Sequence, residues 1–232
     1  MTDIKKYAVI VAGGRGARMG SPIPKQFLPL CGKPMLYYAI DAFVKAVPGI
    51  IIILVVPSAE LSSAQIVLKS YHSDINVTYV GGGETRYHSV QNGLSKINGE
   101  GIVFVHDGAR PLVSAALIQR CYEQALEKGS AIPAVSVTES IRKIEGDEWA
   151  PVNRDHLRVI QTPQTFAANI ILPAFAQEYQ AEFTDEATVV ESFGRKVFII
   201  DGERSNIKVT TPEDMLIAES LLKDSVDKAV GA

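Results

Sequence analysis

Apolar runs of strand length alternate along this chain with segments whose apolar positions recur at helical spacing. Tyr7–Ala12 is almost wholly apolar, the pattern of a strand covered on both faces. A glycine-rich turn follows, then helical spacing over Met35–Val47 and a second aliphatic run, Ile50–Val56, stopped by Pro57. Ser58 is placed to cap a helix reaching about Tyr71. Asn76–Val80 and Ile102–His106 are further strands, with a helix near Tyr87–Lys96 between them. Ser114 opens a helix that Gly129 closes, and Ala131–Val137 is a fifth strand. This strand-then-helix rhythm predicts an α/β fold, a three-layer sandwich around a mainly parallel, Rossmann-like sheet.

The rhythm breaks at Thr138. Thr138–Leu157 is polar and alternating, with Gly146-Asp147 as a turn and Trp149 beyond it, which predicts a protruding β-hairpin arm. An arm with so little core of its own is expected to pack on another subunit, in a homodimer. Arg158–Gln161, helices near Ala167–Tyr179 and Asp185–Phe193, a strand at Val197–Asp201 and a helix at Thr211–Lys223 complete one domain over residues 1–232.

Composition narrows the class. A hydrophobic share of 47% with a net charge of -3 excludes disorder as the main state. Cys31 and Cys121 are too few for a disulfide scaffold and are expected to stay reduced, as in a cytoplasmic protein. Ile50–Val56 is far shorter than the roughly 20 residues of a membrane span. The short lead into the first strand leaves no room for an export signal. Residues 1–50 carry a local charge of +5, so the remainder carries -8. A basic quarter on an acidic body suits a focused anionic ligand better than a nucleic-acid surface.

The candidate chemistry begins at Ala12-Gly13-Gly14-Arg15-Gly16-Ala17-Arg18-Met19. Glycines here let backbone N–H groups approach phosphate oxygens, at the strand end where α/β sheets bind ligands. A tight turn is the bland alternative. The dinucleotide fingerprint fails, because Met19 stands where its third glycine belongs, and no acid lies near 20 residues downstream, the first after the loop being Asp41. The Gly-x-x-x-x-Gly-Lys-Ser/Thr phosphate loop is absent too. Instead Pro22-Ile23-Pro24-Lys25-Gln26 presents Lys25 from a stiffened loop. With Arg18 it supplies two cations suited to charge at a reacting phosphorus.

This strand–Ala-Gly-Gly-x-Gly-x-Arg-Met–Pro-Lys-Gln order resembles the sugar-phosphate nucleotidyltransferases. Gly82–Val90, His106–Pro111, Val152–Arg154, Gln161–Gln164, Thr184–Ala187 and Asn206–Thr210 then follow in an order similar to the 2-C-methyl-D-erythritol 4-phosphate cytidylyltransferase family. The resemblance covers about residues 5–222 and implies transfer of CMP from CTP to a polyol phosphate, with release of pyrophosphate. It implies that Ala12, Gly13, Gly14, Gly83, Arg86, Ser89, Asp107 and Gly108 bind the nucleotide. It makes Arg18, Lys25, Arg154 and Lys208 the catalytic cations, and Asp107 the Mg²⁺ ligand. Arg110, Ser140, Arg154, Thr184 and Lys208 are implied on the acceptor side, with Arg154 reaching across a dimer. Asp185 and Glu186 read as a helix N-terminal signal rather than as catalytic acids.

Two departures, Val11-Ala12-Gly13-Gly14 for Pro-Ala-Ala-Gly and His106-Asp107-Gly108 for His-Asp-Ala, edge toward ribitol 5-phosphate cytidylyltransferases. The Glu139–Lys143 arm and Thr184–Ala187 favour the methylerythritol enzymes. A non-catalytic nucleotide-binding domain is the rival from another class; it would be expected to lack one of Arg18, Lys25 or Lys208, and all three are present.

Overall fold

The central strands form where Val, Ile and Leu run without interruption, since both faces of each strand are covered by helices. In the computed structural model, residues 4–14, 19–21, 23–71 and 75–230 are described. The strands are β1 Lys6–Val11, β2 Pro29–Leu30, β3 Lys33–Pro34, β4 Ile51–Val56, β5 Val77–Gly81 and β6 Ile102–Asp107. They continue as β7 Ser130–Ser136, β8 Ile141–Glu145, β9 Glu148–Val152, β10 Arg158–Ile160, β11 Gln164–Ala167 and β12 Ile199–Asp201. The helices are α1 Met35–Ala46, α2 Leu61–Tyr71, α3 Arg86–Leu94 and α4 Ala115–Lys128. The last three are α5 Ala168–Ala174, α6 Glu186–Ser192 and α7 Pro212–Val230.

The main sheet runs β10-β7-β11-β6-β1-β4-β5, with β12 paired to β7. β1 pairs in parallel with both β4 and β6, and β4 with β5. Alternate residues of each central strand face opposite layers. Val9, Ile53, Val55, Val103 and Val105 pack toward α3, α5 and α6. Ala8, Ile10, Leu54, Ile102 and Phe104 pack toward α1, α2 and α4. The three-layer, mainly parallel sandwich expected from the apolar rhythm is therefore present. Gly93 in α3 shows how close the layers come: a Cβ there would lie 2.6 Å from Val9 Cγ1 and 2.9 Å from Val55 Cγ2. Both limits read for α4 hold, with Ser114 Oγ accepting from Leu117 N at 2.9 Å and Gly129 in the left-handed region at φ 84.

Other expectations are corrected. Ser58 does not cap α2; a short 3-10 turn, Ser58–Glu60, leads into it, and Pro57 sits before that turn. The helix expected over Ala167–Tyr179 ends at Ala174, one residue after Pro173. β11 was not foreseen. It inserts between β6 and β7, antiparallel to both, so the fifth run of the β-α rhythm lies one strand away from the fourth. The arm is present: β8 and β9 pair only with each other, around Gly146 at φ 61. None of the described helices is long and apolar enough to cross a membrane.

Candidate active site

β1, β5 and β6 all end at the same edge of the sheet, the carboxyl edge where parallel α/β sheets bind ligands. A cleft of about 250 Å³ opens there. Its walls come from the end of β1 and the following Gly13-Gly14, Lys25-Gln26, the Gly83–Arg86 turn, Ser89, Asp107, Ala109 and Lys208. Most of the residues read from sequence as nucleotide-binding thus meet at one place with Lys25 and Lys208, although the set spans 196 positions from Ala12 to Lys208. Arg18 lies outside the described residues, as do Arg15 and Pro22.

Charge converges on Asp107. Lys208 Nζ lies 2.8 Å from its Oδ2, Arg86 Nη2 lies 3.1 Å from Oδ1, and Arg110 Nε stands 3.8 Å from Oδ2. Burial alone would push this carboxyl up, but Arg86, Lys208 and Arg110 together hold it well below the usual carboxylate range. Asp107 is therefore ionised throughout the physiological range. Behind it sits Glu186, fully buried and paired with Arg86 through both carboxylate oxygens. Burial pushes the Glu186 carboxyl up, while Arg86 opposes the shift. Burial disfavours the Arg86 cation, yet its two carboxylate partners outweigh that and strengthen its hold on the proton. Glu186 is thus more than a helix signal. Both acids stand at the start of α6 as read from sequence, Asp185 as its cap in a capping box with Thr188 and Glu186 in its first turn. Sequence reasoning missed Glu186 because its partner lies 100 residues away.

His106, one residue before Asp107, is a supporting group. Its Nε2 is 3.1 Å from the Arg110 carbonyl and its Nδ1 is 3.1 Å from Thr162 Oγ1. Burial lowers its pKa to about 4, so it is neutral near pH 7 and carries no charge to the cleft. Arg110 is buried behind Asp107 and donates to the Asn206 carbonyl at 2.7 Å. It holds the chain after β12 against β6 rather than lining the cleft.

The glycine walls are set by main-chain bonds. Ala12 N donates to Val55 O at 2.8 Å and Gly108 N to Val11 O at 2.9 Å, so those two N–H groups are engaged within the sheet edge. Gly82 N donates to Val56 O at 2.7 Å, and Gly83 N to Ser89 Oγ at 3.1 Å. Ser89 Oγ in turn donates to Thr85 O at 3.0 Å. Ser89 therefore locks the Gly82-Gly83 turn against α3. A Cβ on Gly83 would come within 3.0 Å of the His88 carbonyl carbon, so only glycine lets the turn lie this close. Lys25 Nζ donates to Val209 O at 3.1 Å, bridging the proline loop to the segment between β12 and α7 that carries Lys208.

The acceptor-side residues do not all join this cleft. Lys208 does, but Ser140 and Arg154 line a separate groove of about 380 Å³ at the base of the hairpin. Arg154 Nη1 donates there to the Thr138 carbonyl. Thr184 is exposed just before the Asp185 cap. Glu84, Thr85 and Gln26 line the cleft without having been assigned a role from sequence.

The donor set suits one kind of metal. Among the described residues, no cluster of three or more His, Cys, Asp or Glu could hold an ion unaided. Two carboxylates line the cleft: Asp107 lies among the cations, and Glu84 is in the turn before α3. Mg²⁺ is typically bound through one or two carboxylates plus substrate phosphates, and this set fits that mode.

Comparison with known proteins agrees with the geometry. The family model described as IspD, 2-C-methyl-D-erythritol 4-phosphate cytidylyltransferase, matches residues 6–224. A relative of that name from Phocaeicola vulgatus is 45% identical over 219 residues, covering 94% of this chain and 100% of the relative. Another from Bacteroides fragilis is 43% identical over 217 residues, covering 94% and 99%. The crystal structure of a 4-diphosphocytidyl-2C-methyl-D-erythritol synthase from Anaerococcus prevotii superposes with a TM-score of 0.80 at 31% identity, covering 95% of this chain and 99% of that one. A 2-C-methyl-D-erythritol 4-phosphate cytidylyltransferase structure from Thermus thermophilus superposes at 0.75 with 28% identity, covering 95% and 100%. With a family match over nearly its whole length and relatives at 43–45% identity, this chain belongs to the 2-C-methyl-D-erythritol 4-phosphate cytidylyltransferase family.

Proposed function

We propose how this cleft performs the family's reaction, the transfer of CMP from CTP to 2-C-methyl-D-erythritol 4-phosphate in isoprenoid biosynthesis. The observation that carries the reading is the meeting of Lys25, Arg86, Asp107 and Lys208 with the Gly13-Gly14 and Gly83 turns around one cleft. An oxygen of the acceptor phosphate attacks the α-phosphorus of CTP in line. The bond to the β-phosphate oxygen breaks, and its electron pair leaves with pyrophosphate. Lys25, with Arg18, stabilises the charge developing on the α-phosphoryl oxygens. Lys208 leaves Asp107 to hold the acceptor phosphate, and Arg154 clamps the same phosphate with its planar fork. No general base is required, because a phosphate monoester dianion is nucleophilic once positioned; neutral, buried His106 accords with that.

Asp107 would hold Mg²⁺ together with the CTP phosphates, and the bound ion would neutralise charge on the leaving pyrophosphate. The enzyme works as a homodimer in the cytoplasm, where CTP is available and Cys31 and Cys121 stay reduced; the exposed arm supports the first part of this reading. Nucleotide choice follows from the walls. Backbone groups of residues 12–14, with Gly83 and Ser89, fit a single ring better than a purine. Pyrophosphate release at limiting nucleotide is therefore expected to be at least tenfold faster from CTP than from ATP. Equal release from the two would overturn this assignment of the pocket.

A further inference from the structure

Gln26 combines burial with an unmet hydrogen-bonding capacity. The residue is 2% exposed, and neither its Oε1 nor its Nε2 has a hydrogen-bond partner among the described residues. A buried carboxamide in that state destabilises the folded protein, because it has lost water at both ends and gained nothing in exchange. An apolar side chain of the same length would avoid that cost.

Its place suggests what completes it. Gln26 belongs to the wall shared by two cavities, together with Gly13, Gly14, Gly83, Glu84 and Ser89. On one side lies the cleft with Lys25, Arg86 and Lys208. On the other lies a hollow of about 690 Å³ bounded by Pro24, Pro57–Glu60 and Gly82, whose lining among the described residues holds Glu60 and Glu84 and no Lys or Arg. A nucleotide spanning this wall would keep its phosphates on the cationic side and its neutral nucleoside on the other. Phosphate oxygens could satisfy the Nε2 donor alone. A nucleoside offers donors as well as acceptors, and so can satisfy both ends of the carboxamide.

We propose that the Gln26 carboxamide hydrogen-bonds the nucleoside part of CTP and is a specificity-determining residue of this enzyme. This rests on the cleft being the CTP site. It makes Gln26 a position where stability has been given up for recognition, since its amide is satisfied only in the complex.

The test uses Gln26→Met, which keeps the length and flexibility of the side chain and removes the amide. Thermal unfolding of the free protein and calorimetric titration with CTP and with inorganic tripolyphosphate are measured for both forms. The melting temperature of the variant should equal or exceed that of wild type, within about 2 °C. Its CTP affinity should fall about tenfold or more, on the scale of one or two lost hydrogen bonds. Tripolyphosphate affinity should change less than twofold. Parallel titrations with UTP and 2′-deoxy-CTP separate the base edge from the ribose as the group contacted. A drop of more than about 4 °C would make Gln26 a structural residue and overturn the proposal. Unchanged CTP affinity, or equal losses for CTP and tripolyphosphate, would overturn it as well. Failure of wild type to bind CTP would instead refute the site itself, and with it this proposal.

Discussion

Lys25→Ala is expected to lower kcat by about 10²-fold or more, with the fold intact. The side chain sits beside Gly14, where a Cβ would lie 3.6 Å from Lys25 Cε, and its ammonium ties the proline loop to Val209 O. That places a cation next to the turn proposed to receive the phosphates, in a partly enclosed cleft where water screens it poorly. A group that stabilises developing charge acts chiefly on the transition state, so kcat should fall more than CTP binding weakens. The ammonium makes a hydrogen bond to a carbonyl in the free protein, and its loss should cost about 1 kcal/mol. That corresponds to a melting temperature lower by no more than about 4 °C in a chain of this size. A variant within threefold of wild-type kcat at saturating substrates would remove Lys25 from the mechanism. Arg18 occupies the matching place in the sequence, and the same outcome is expected for Arg18→Ala.

A heterodimer of Arg154→Ala and Lys25→Ala protomers is expected to recover about half of wild-type activity per dimer, although each parent homodimer is strongly impaired. Trp149 is 63% and Ile144 56% exposed, and β8 and β9 make no pairing beyond each other. Apolar side chains left open in this way are most readily covered by a partner's surface. Arg154 and Ser140 sit at the base of that arm in their own groove, whereas Lys208 and Lys25 line the cleft. If the arm crosses to the neighbour, one active site of the mixed dimer carries both lesions and the other carries neither. In the Arg154→Ala homodimer the acceptor KM should rise more than that for CTP. A monomer in light scattering at micromolar concentration would contradict this arrangement. So would verified heterodimers without recovered activity.

Where the sequence spoke through apolar periodicity, it was legible. The parallel core β6-β1-β4-β5 and its covering helices follow from runs such as Ile51–Val56 and from α4's cap and terminal glycine. The cleft residues were legible because glycine turns and cations recur at strand ends, and the parallel sheet brings those ends together. What escaped lacks a local signal. β11 is four residues long and half polar; buried Gln164 is satisfied by Asp185 Oδ2 and Ala187 N, from 21 and 23 residues away. Glu186 is chemically indistinct from a helix-start acid until Arg86 stands opposite it. Gln26 reads as a surface glutamine until the proline loop folds it inward. Each of these is a polar group buried by tertiary structure, and no pattern of spacing reports that.

The central claim is that this cleft joins CMP to a specific polyol phosphate. It is tested most directly by incubating the purified protein with CTP, Mg²⁺ and either 2-C-methyl-D-erythritol 4-phosphate or ribitol 5-phosphate. Pyrophosphate and the CDP-polyol are quantified together. One pyrophosphate is expected per CDP-methylerythritol formed, with kcat/KM at least tenfold higher for that acceptor than for ribitol 5-phosphate. Equal or greater efficiency with ribitol 5-phosphate would contradict the account, as would pyrophosphate release independent of any acceptor.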